Sequence, residues 1–200
     1  MKIPATFLQG DEPNPRSTTL FRPFAVGVTE VTQDQWSIVM KSNPSGFKGG
    51  DRPVENVSWN EVQQFIEKTN ERLAGWYVAL PTVAQWEFAC RAGTSRQGWS
   101  FGKTDDFIRE YAWFSGNSEN QTHAVAAKKP NPFGLYDMHG NVWEYCSDWH
   151  SDQLDRRETV EPTGVARGEV RDCRGGSWAK GGQRRPVLHA GVEGARRSRH

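Results

Sequence analysis

The sequence predicts a single α+β domain, spanning residues 1–200, with much irregular structure. Its 200 residues suffice for one hydrophobic core. Nine Trp, ten Phe and four Tyr supply aromatic core material, and 20 Gly and 11 Pro predict frequent turns. Three helix-capping patterns in the first half, followed by short apolar groups in the second, predict about three helices and a small sheet.

Each predicted helix begins at a Ser or Thr followed three residues later by Gln or Glu, which is the capping-box pattern. The first cap is Thr32, and Trp36 belongs to the apolar stripe that follows. The second is Ser58, and its helix is predicted to carry Leu73 on the apolar face and to end at Gly75. The third begins after Thr82, bears Trp86, Ala89 and Cys90, and closes at Gly93.

The second half predicts short strands in an irregular scaffold. From about Gly98 onward, Gly, Asn, Asp and Pro interrupt the apolar groups every few residues. The segments 142–146 and 172–179 read as strands.

Charge and composition exclude several classes of protein. The net charge of +1 argues against a nucleic-acid binder, and no apolar run is long enough to span a membrane. The first residues, MKIPATFLQG, lack the apolar run of a signal peptide. Either the protein is cytosolic or the chain begins after a removed leader, and both alternatives stay open at this point.

Three cysteines, Cys90, Cys146 and Cys173, are too few and too far apart for a disulfide framework or a zinc site. One disulfide with one free thiol and three buried thiols both fit the sequence. We favour three buried thiols, because free Cys packs as a small hydrophobic residue.

The last thirty residues are basic. From position 171 to 200, eight Lys and Arg face two acids, so this stretch carries +6 and the rest of the chain −5. Residues 179–200 show neither a helical nor a strand period. They form either a ligand-facing surface or a solvated basic face that pairs with the acidic remainder.

Five segments together resemble one family. They are VTEVTQDQW, NPSGFKGGDRPVENVSWNEVQQF, LPTVAQWEFACRAG, KKPNPFGLYDMHGNVWEYCSDW and CRGGSW. In this order they are similar to the formylglycine-generating-enzyme (sulfatase-modifying-factor) family. The resemblance implies a C-type-lectin-like fold of the formylglycine-generating-enzyme subclass, with a short twisted antiparallel sheet.

The family's oxidases use two cysteines, five residues apart, that follow the GGS element and bind copper. By offset from Gly175-Gly176-Ser177, those places hold Lys180 and Arg185 in this chain. Neither side chain forms a thiolate, the soft ligand that suits Cu(I). We therefore expect no enzymatic activity and no required cofactor.

Residues 174–200 resemble the variable segment of proteins that diversity-generating retroelements encode. Arg185 and Arg197 match its fixed arginines, and residues 198–200 match its changeable triplet. His189 and Gly194 depart from the usual Arg and Pro, a one-residue deletion follows Trp178, and the closing element has no counterpart. The resemblance implies a fixed scaffold, 1–178, and a variable segment, 179–200.

A segment that tolerates substitution cannot carry the hydrophobic core. A variable segment therefore lies at the surface, where it displays exchangeable side chains to a protein or glycan ligand. A cell-surface location is the family expectation for such a receptor. The residues expected to face the ligand are Lys180, Gln183, Arg184, His189, Val192, Glu193, Arg196, Ser198, Arg199 and His200.

The segment DMHGNVWE matches a calcium loop of the family. The resemblance assigns as ligands the side chains of Asp137 and Glu144 and the carbonyls of Gly140 and Val142. Hard oxygen donors with two carboxylates suit Ca²⁺. Alternatively, the two carboxylates only accept hydrogen bonds from local backbone.

The sequence thus predicts a non-enzymatic ligand-binding protein. The alternatives are a cysteine-oxidising enzyme of the same family and an interaction module without diversification. Trp143, Trp149 and Trp178 could stack on a sugar, but their place inside scaffold motifs favours core packing.

Overall fold

The computed structural model describes residues 5–9, 16–94, 99–102, 105–151 and 159–180. Within these ranges the chain forms an α+β domain with two small sheets, which confirms the predicted class. The strands are β1 (Ala5–Gln9), β2 (Arg16–Leu20), β3 (Glu144–Trp149), β4 (Thr159–Val160) and β5 (Arg171–Arg174). The helices are α1 (Gln33–Met40), α2 (Trp59–Asn70), α3 (Val83–Arg91) and the short α4 (Ile108–Tyr111), which follows a 3₁₀ turn.

All three predicted capping boxes are present. The hydroxyls of Thr32, Ser58 and Thr82 each accept a hydrogen bond from the amide three residues on, and the Gln or Glu side chain there accepts one from the cap amide. Two amides that the helix itself leaves unpaired are thereby satisfied at each start.

The predicted end of the second helix was wrong. Helix α2 ends at Asn70, and Leu73, which was placed on its apolar face, is 40% exposed. The Asn70 side chain donates to the Val78 carbonyl (2.9 Å) and accepts from the Val78 amide (2.7 Å). This pair closes a loop at the end of the helix, so the chain leaves the helical path before Gly75.

The two predicted strands exist but are displaced. Strands β3 and β5 pair antiparallel, with Tyr145 opposite Cys173. Strand β5 ends before Gly175 and Gly176, whose φ angles of 95° and 86° turn the chain out of the sheet.

A second sheet, which the sequence patterns did not predict, has the order β1-β2-β4. Strands β1 and β2 pair antiparallel, and β4 adds parallel to β2. The short polar strand RSTTL gives no apolar alternation to detect.

The core lies between α3 and the segment that leads into β3. Trp86, Ala89 and Cys90 of α3 pack against Leu135, Met138 and Cys146. All three cysteines are buried and unpaired, which confirms the prediction of three buried thiols. No helix among the described residues is long and apolar enough to cross a membrane.

Candidate functional site

The backbone is held in place up to the beginning of the predicted variable segment. The Trp178 amide donates to the Asn141 carbonyl (2.8 Å), and the Ser118 hydroxyl donates to the Trp178 carbonyl (2.9 Å). The Ser115 amide donates to the Lys180 carbonyl (2.9 Å). Residues 178–180 are thus bonded to two separate loops of the scaffold.

Lys180 is the one predicted ligand-facing residue that the structure describes. Its backbone is bonded to Ser115, and its side chain is exposed. The other nine predicted residues, Gln183, Arg184, His189, Val192, Glu193, Arg196, Ser198, Arg199 and His200, lie outside the described residues.

Asp137 of the predicted calcium loop is 1% exposed and has a left-handed backbone, with φ of 59°. Its Oδ2 accepts a hydrogen bond from the Ala126 amide (2.8 Å). Its Oδ1 is buried and accepts no hydrogen bond from the described residues. Burying a carboxylate oxygen without a hydrogen-bond donor costs free energy, so this atom is suited to coordinate a cation.

Two further predicted ligands lie together beside Gly175. A Cβ placed on Gly175 would lie 3.3 Å from Glu144 Oε1 and 3.5 Å from the Val142 carbonyl oxygen. The other Glu144 oxygen, Oε2, accepts from the Trp86 indole N–H (2.9 Å). One carboxylate oxygen and one carbonyl oxygen therefore both lie beside Gly175.

Gly140 fits its place because it has no side chain. A Cβ there would overlap the Trp113 carbonyl oxygen and lie 2.9 Å from the Trp113 carbonyl carbon. The loop thus packs directly on the backbone at Trp113, and the Asn141 amide donates to that same carbonyl (2.8 Å).

Sequence reasoning missed Glu30, which lies against the loop. Its Oε1 accepts from the Val142 amide (2.9 Å), and its Oε2 accepts from the Asn141 side-chain amide (2.8 Å). The available signal was weak: a lone acid between β-branched residues, just before the Thr32 cap.

Three carboxyls of this region have raised pKa values, mainly because burial disfavours the charged form. The pKa of Glu144 is raised to about 7. Asp137 and Glu144 further raise the pKa of Glu30 through charge repulsion. Binding of a cation, or protonation of one of the carboxyls, would therefore reduce the electrostatic cost of burying these groups together.

The donor set fits calcium better than a transition metal. Among the described residues, no three His, Cys, Asp or Glu side chains are close enough to hold a metal ion by themselves. A site here needs the carbonyls of Gly140 and Val142 beside the carboxylates of Asp137 and Glu144. Such an all-oxygen set is typical of Ca²⁺.

The described thiols are poorly suited to nucleophilic or copper chemistry. Burial raises the pKa values of Cys90 and Cys146, and raises that of Cys173 to about 12. The thiolate is the reactive and metal-binding form. All three cysteines therefore serve packing at neutral pH.

His139, next to Gly140, is buried and has a structural environment. One ring nitrogen lies 2.7 Å from the Ser100 hydroxyl, and the ring meets Trp99 and Phe101 edge to face. Burial lowers its pKa to about 4, so the ring is neutral at pH 7. The contacts with Ser100 and the two aromatic rings, rather than the pKa, agree with leaving His139 out of the metal site.

The predicted packing role of the tryptophans fits their contacts. Trp178 meets Phe47 edge to face, with ring centroids 5.3 Å apart. The Arg171 guanidinium lies 3.4 Å from the Trp149 ring centroid, over the face that a sugar would need. Trp143 is partly buried.

A family model described as the sulfatase-modifying factor enzyme 1-like domain matches residues 3–199. The chain belongs to this family. Among curated relatives, the chaperone protein LppX of Paenibacillus barcinonensis is 32% identical over 204 residues, covering 78% of this chain and 69% of that protein. The formylglycine-generating enzyme of Bos taurus is 34% identical over 139 residues, covering 64% of this chain and 35% of the enzyme.

Among solved structures, the Treponema denticola variable protein 1 is similar over nearly the whole family domain. The TM-score is 0.82 with 32% identity, and the match covers 95% of this chain and 88% of that protein. The expected family and fold are thereby confirmed. This chain spans only about a third of the length of the bovine enzyme, with 35% covered.

The Glu144 carboxyl predicts a pH dependence of stability in the metal-free protein. Its pKa rises from 4.5 to about 7 on folding, so the native state keeps a proton that the unfolded state loses between these values. In EDTA, the free energy of unfolding should therefore fall as pH rises from 4.5 to 7. The loss from this group should be below about 3 kcal/mol, because the side chain keeps some exposure.

Urea unfolding at a series of pH values measures this loss. Glu144→Gln cannot ionise and should show a smaller decline than the wild type. Glu61→Gln is the matched control, since hydrogen bonds from Ser58 lower the pKa of Glu61 and the decline should persist. If the free energy of unfolding of Glu144→Gln falls with pH as steeply as that of the wild type, groups other than Glu144 cause the loss.

Proposed function

We propose that this member of the family is a non-enzymatic ligand-binding protein, the sequence-diversified receptor of a diversity-generating retroelement. Residues 1–178 are the fixed scaffold, and 179–200 carry exchangeable side chains. The ligand is a protein or a glycan, because Arg and His side chains offer bidentate and stacking contacts to either.

The observation that carries this proposal is the environment of Lys180. Its carbonyl is bonded to the Ser115 amide, whereas its side chain is exposed and accepts substitution without disturbing that bond. This combination is what a diversified position requires. The likeness to the Treponema denticola variable protein 1 supports the same assignment.

The replaced cysteine pair supports a role without oxidase chemistry. Lys180 and Arg185 occupy the two positions by offset, and the three cysteines of the chain are buried. A thiolate pair for Cu(I) is therefore missing from the place where the oxidases hold it. Because formylglycine-generating enzymes are among the relatives, enzymatic cysteine oxidation is the competing function.

We also propose that Asp137, Gly140, Val142 and Glu144 bind Ca²⁺ in a structural role. The buried Asp137 Oδ1, which accepts no hydrogen bond from the described residues, and the placement of Glu144 Oε1 and the Val142 carbonyl oxygen beside Gly175 support it. When bound, the ion would offset the negative charge of the buried carboxylates. The protein requires no other cofactor for recognition.

Sequencing the 3′ end of this gene across many clones and related loci tests diversification. We expect substitutions confined to codons 179–200, chiefly where the template carries adenine. Incubation with a cysteine-containing peptide, Cu(I) and air should yield no formylglycine, whereas the disulfide that copper and air form without protein is measured in a protein-free control. A constant 3′ end would leave a fixed interaction module, and peptide oxidation lost with Cys146 or Cys173 would favour the enzyme.

The boundary between scaffold and segment predicts a contrast in stability. Lys180→Ala should change the free energy of unfolding by less than about 0.5 kcal/mol, because its side chain is exposed and, among the described residues, only its backbone is bonded. Trp178→Ala removes the contact with Phe47 and should cost at least about 2 kcal/mol. Urea unfolding measures both. Equal losses would place the boundary elsewhere.

Calcium should raise the melting temperature. At a concentration about 100-fold above the Kd, binding adds about 2.7 kcal/mol, or roughly 5–10 °C for a domain of this size. Thermal scans in CaCl₂ and in EDTA measure the shift, and Glu144→Gln should abolish it. Glu61→Gln removes a carboxylate on α2 that accepts hydrogen bonds from Ser58 and is not among the proposed ligands, so it should retain the shift. Identical scans in both solutions would refute the calcium site.

A further inference from the structure

The calcium loop and the beginning of the variable segment share one residue, Asn141. It lies between Gly140 and Val142, whose carbonyls are the proposed ligands. Its own carbonyl accepts the Trp178 amide at 2.8 Å. Trp178, the last scaffold residue before the segment, is thus bonded to the carbonyl of Asn141. The carbonyls of the residues immediately before and after Asn141 are the proposed calcium ligands.

The chain that leads to Trp178 also packs against the loop. A Cβ on Gly175 would lie 3.3 Å from Glu144 Oε1, and one on Gly176 would lie 3.5 Å from the His139 carbonyl oxygen. Both glycines have left-handed φ angles, 95° and 86°. Both glycines therefore lie beside the oxygen-bearing face of the loop.

Asn141 cannot turn without breaking several bonds. It is 0% exposed, and its side chain donates to Glu30 and accepts from the His123 amide (3.0 Å). Glu30 also accepts the Val142 amide. One carboxylate thus holds both the side chain of Asn141 and the peptide that follows it.

A second set of bonds extends the connection to Lys180. The Asn141 amide donates to the Trp113 carbonyl, and Ser115 and Ser118 of the same loop bond Lys180 and Trp178. The loop 113–118, Asn141 and residues 178–180 therefore form a closed ring of hydrogen bonds.

We propose that calcium in the Asp137–Glu144 loop fixes, through Asn141, the backbone position from which the segment 179–200 departs. Glu30 is the positioning residue of this connection, and ligand binding by the segment depends on calcium. This inference rests on the proposed ligand-binding function and calcium site. Calcium drawn to the carbonyls of Gly140 and Val142 would orient the 140–141 and 142–143 peptides, which lie on either side of the 141–142 peptide whose carbonyl accepts the Trp178 amide.

Amide hydrogen exchange of the whole chain, followed by NMR in CaCl₂ and in EDTA, tests the connection. If calcium only stabilises the fold as a whole, hydrogen exchange should slow by a similar factor at all protected amides. Coupling requires the Trp178 and Ser115 amides to slow at least tenfold more than the Val62 and Trp36 amides, which donate within α2 and α1. Uniform slowing would overturn the proposal.

Variants of Glu30 test its positioning role, with calcium affinity measured by calorimetry. Glu30→Gln and Glu30→Asp should each lower the affinity tenfold or more and remove the extra slowing at Trp178. The Asp variant keeps the charge but shortens the reach, so it separates position from charge. Glu61→Gln, which loses a carboxylate that accepts two bonds from Ser58, should behave as wild type. Wild-type affinity in Glu30→Asp would overturn the positioning role.

The outcomes separate the proposals. Absence of binding heat and of a melting shift refutes the calcium site, and the coupling with it. Binding with uniform slowing refutes the coupling alone. Should the Glu30 variants fail to fold, the exchange experiment on the wild-type chain still decides, and diversification is decided independently by the gene sequences.

Discussion

The carboxylate of Glu30 fixes the Asn141–Val142 peptide, and much of the described structure depends on this interaction. Its two acceptor oxygens hold the Val142 amide at 2.9 Å and the Asn141 side chain at 2.8 Å. Strand β3 begins two residues later, and the Asn141 carbonyl holds Trp178. The arrangement has an electrostatic cost, because Glu30 lies near two further carboxyls and its pKa is raised. A buried negative charge of this kind persists when hydrogen-bond donors or a cation offset it.

The same region separates what the backbone does from what the side chains do. Up to Trp178, side chains pack: Trp178 meets Phe47, and Cys146 and Cys173 are buried. Among the described residues, Lys180 is bonded only through its backbone, while its side chain is exposed. Because the hydrogen bond to Ser115 uses the Lys180 carbonyl, it does not depend on the side chain at this position. Under the proposed function, this change within three residues marks the boundary between the scaffold and the variable segment.

Local patterns predicted the helix starts, because a capping box is a contact between residues three apart and is legible in the sequence. They failed where distant residues decide. Helix α2 ends early because Asn70 bonds Val78, and Glu30 could not be assigned because its partners lie 111 and 112 positions away. Strand β2 went undetected because RSTTL has no apolar alternation. The loop 137–144 was proposed as a calcium site through a family motif, whereas only the packing shows that Asp137 Oδ1 accepts no hydrogen bond from the described residues.

One scaffold can serve catalysis or recognition because the groups required for catalysis, at the two positions after the GGS element, differ from those that hold the loop at Asp137. Cysteine oxidation needs a pair of thiolates after the GGS element, and here those positions are Lys180 and Arg185. The loop at Asp137 and its Glu30 support do not depend on that pair, because their bonds run through Asn141, Val142 and Trp86. Under the proposed function, side chains other than thiols at these two positions dispense with the oxidase chemistry, and the hydrogen bonds of the loop do not involve them. Under the coupling proposed above, calcium then acts on the geometry of recognition and on no reacting atom.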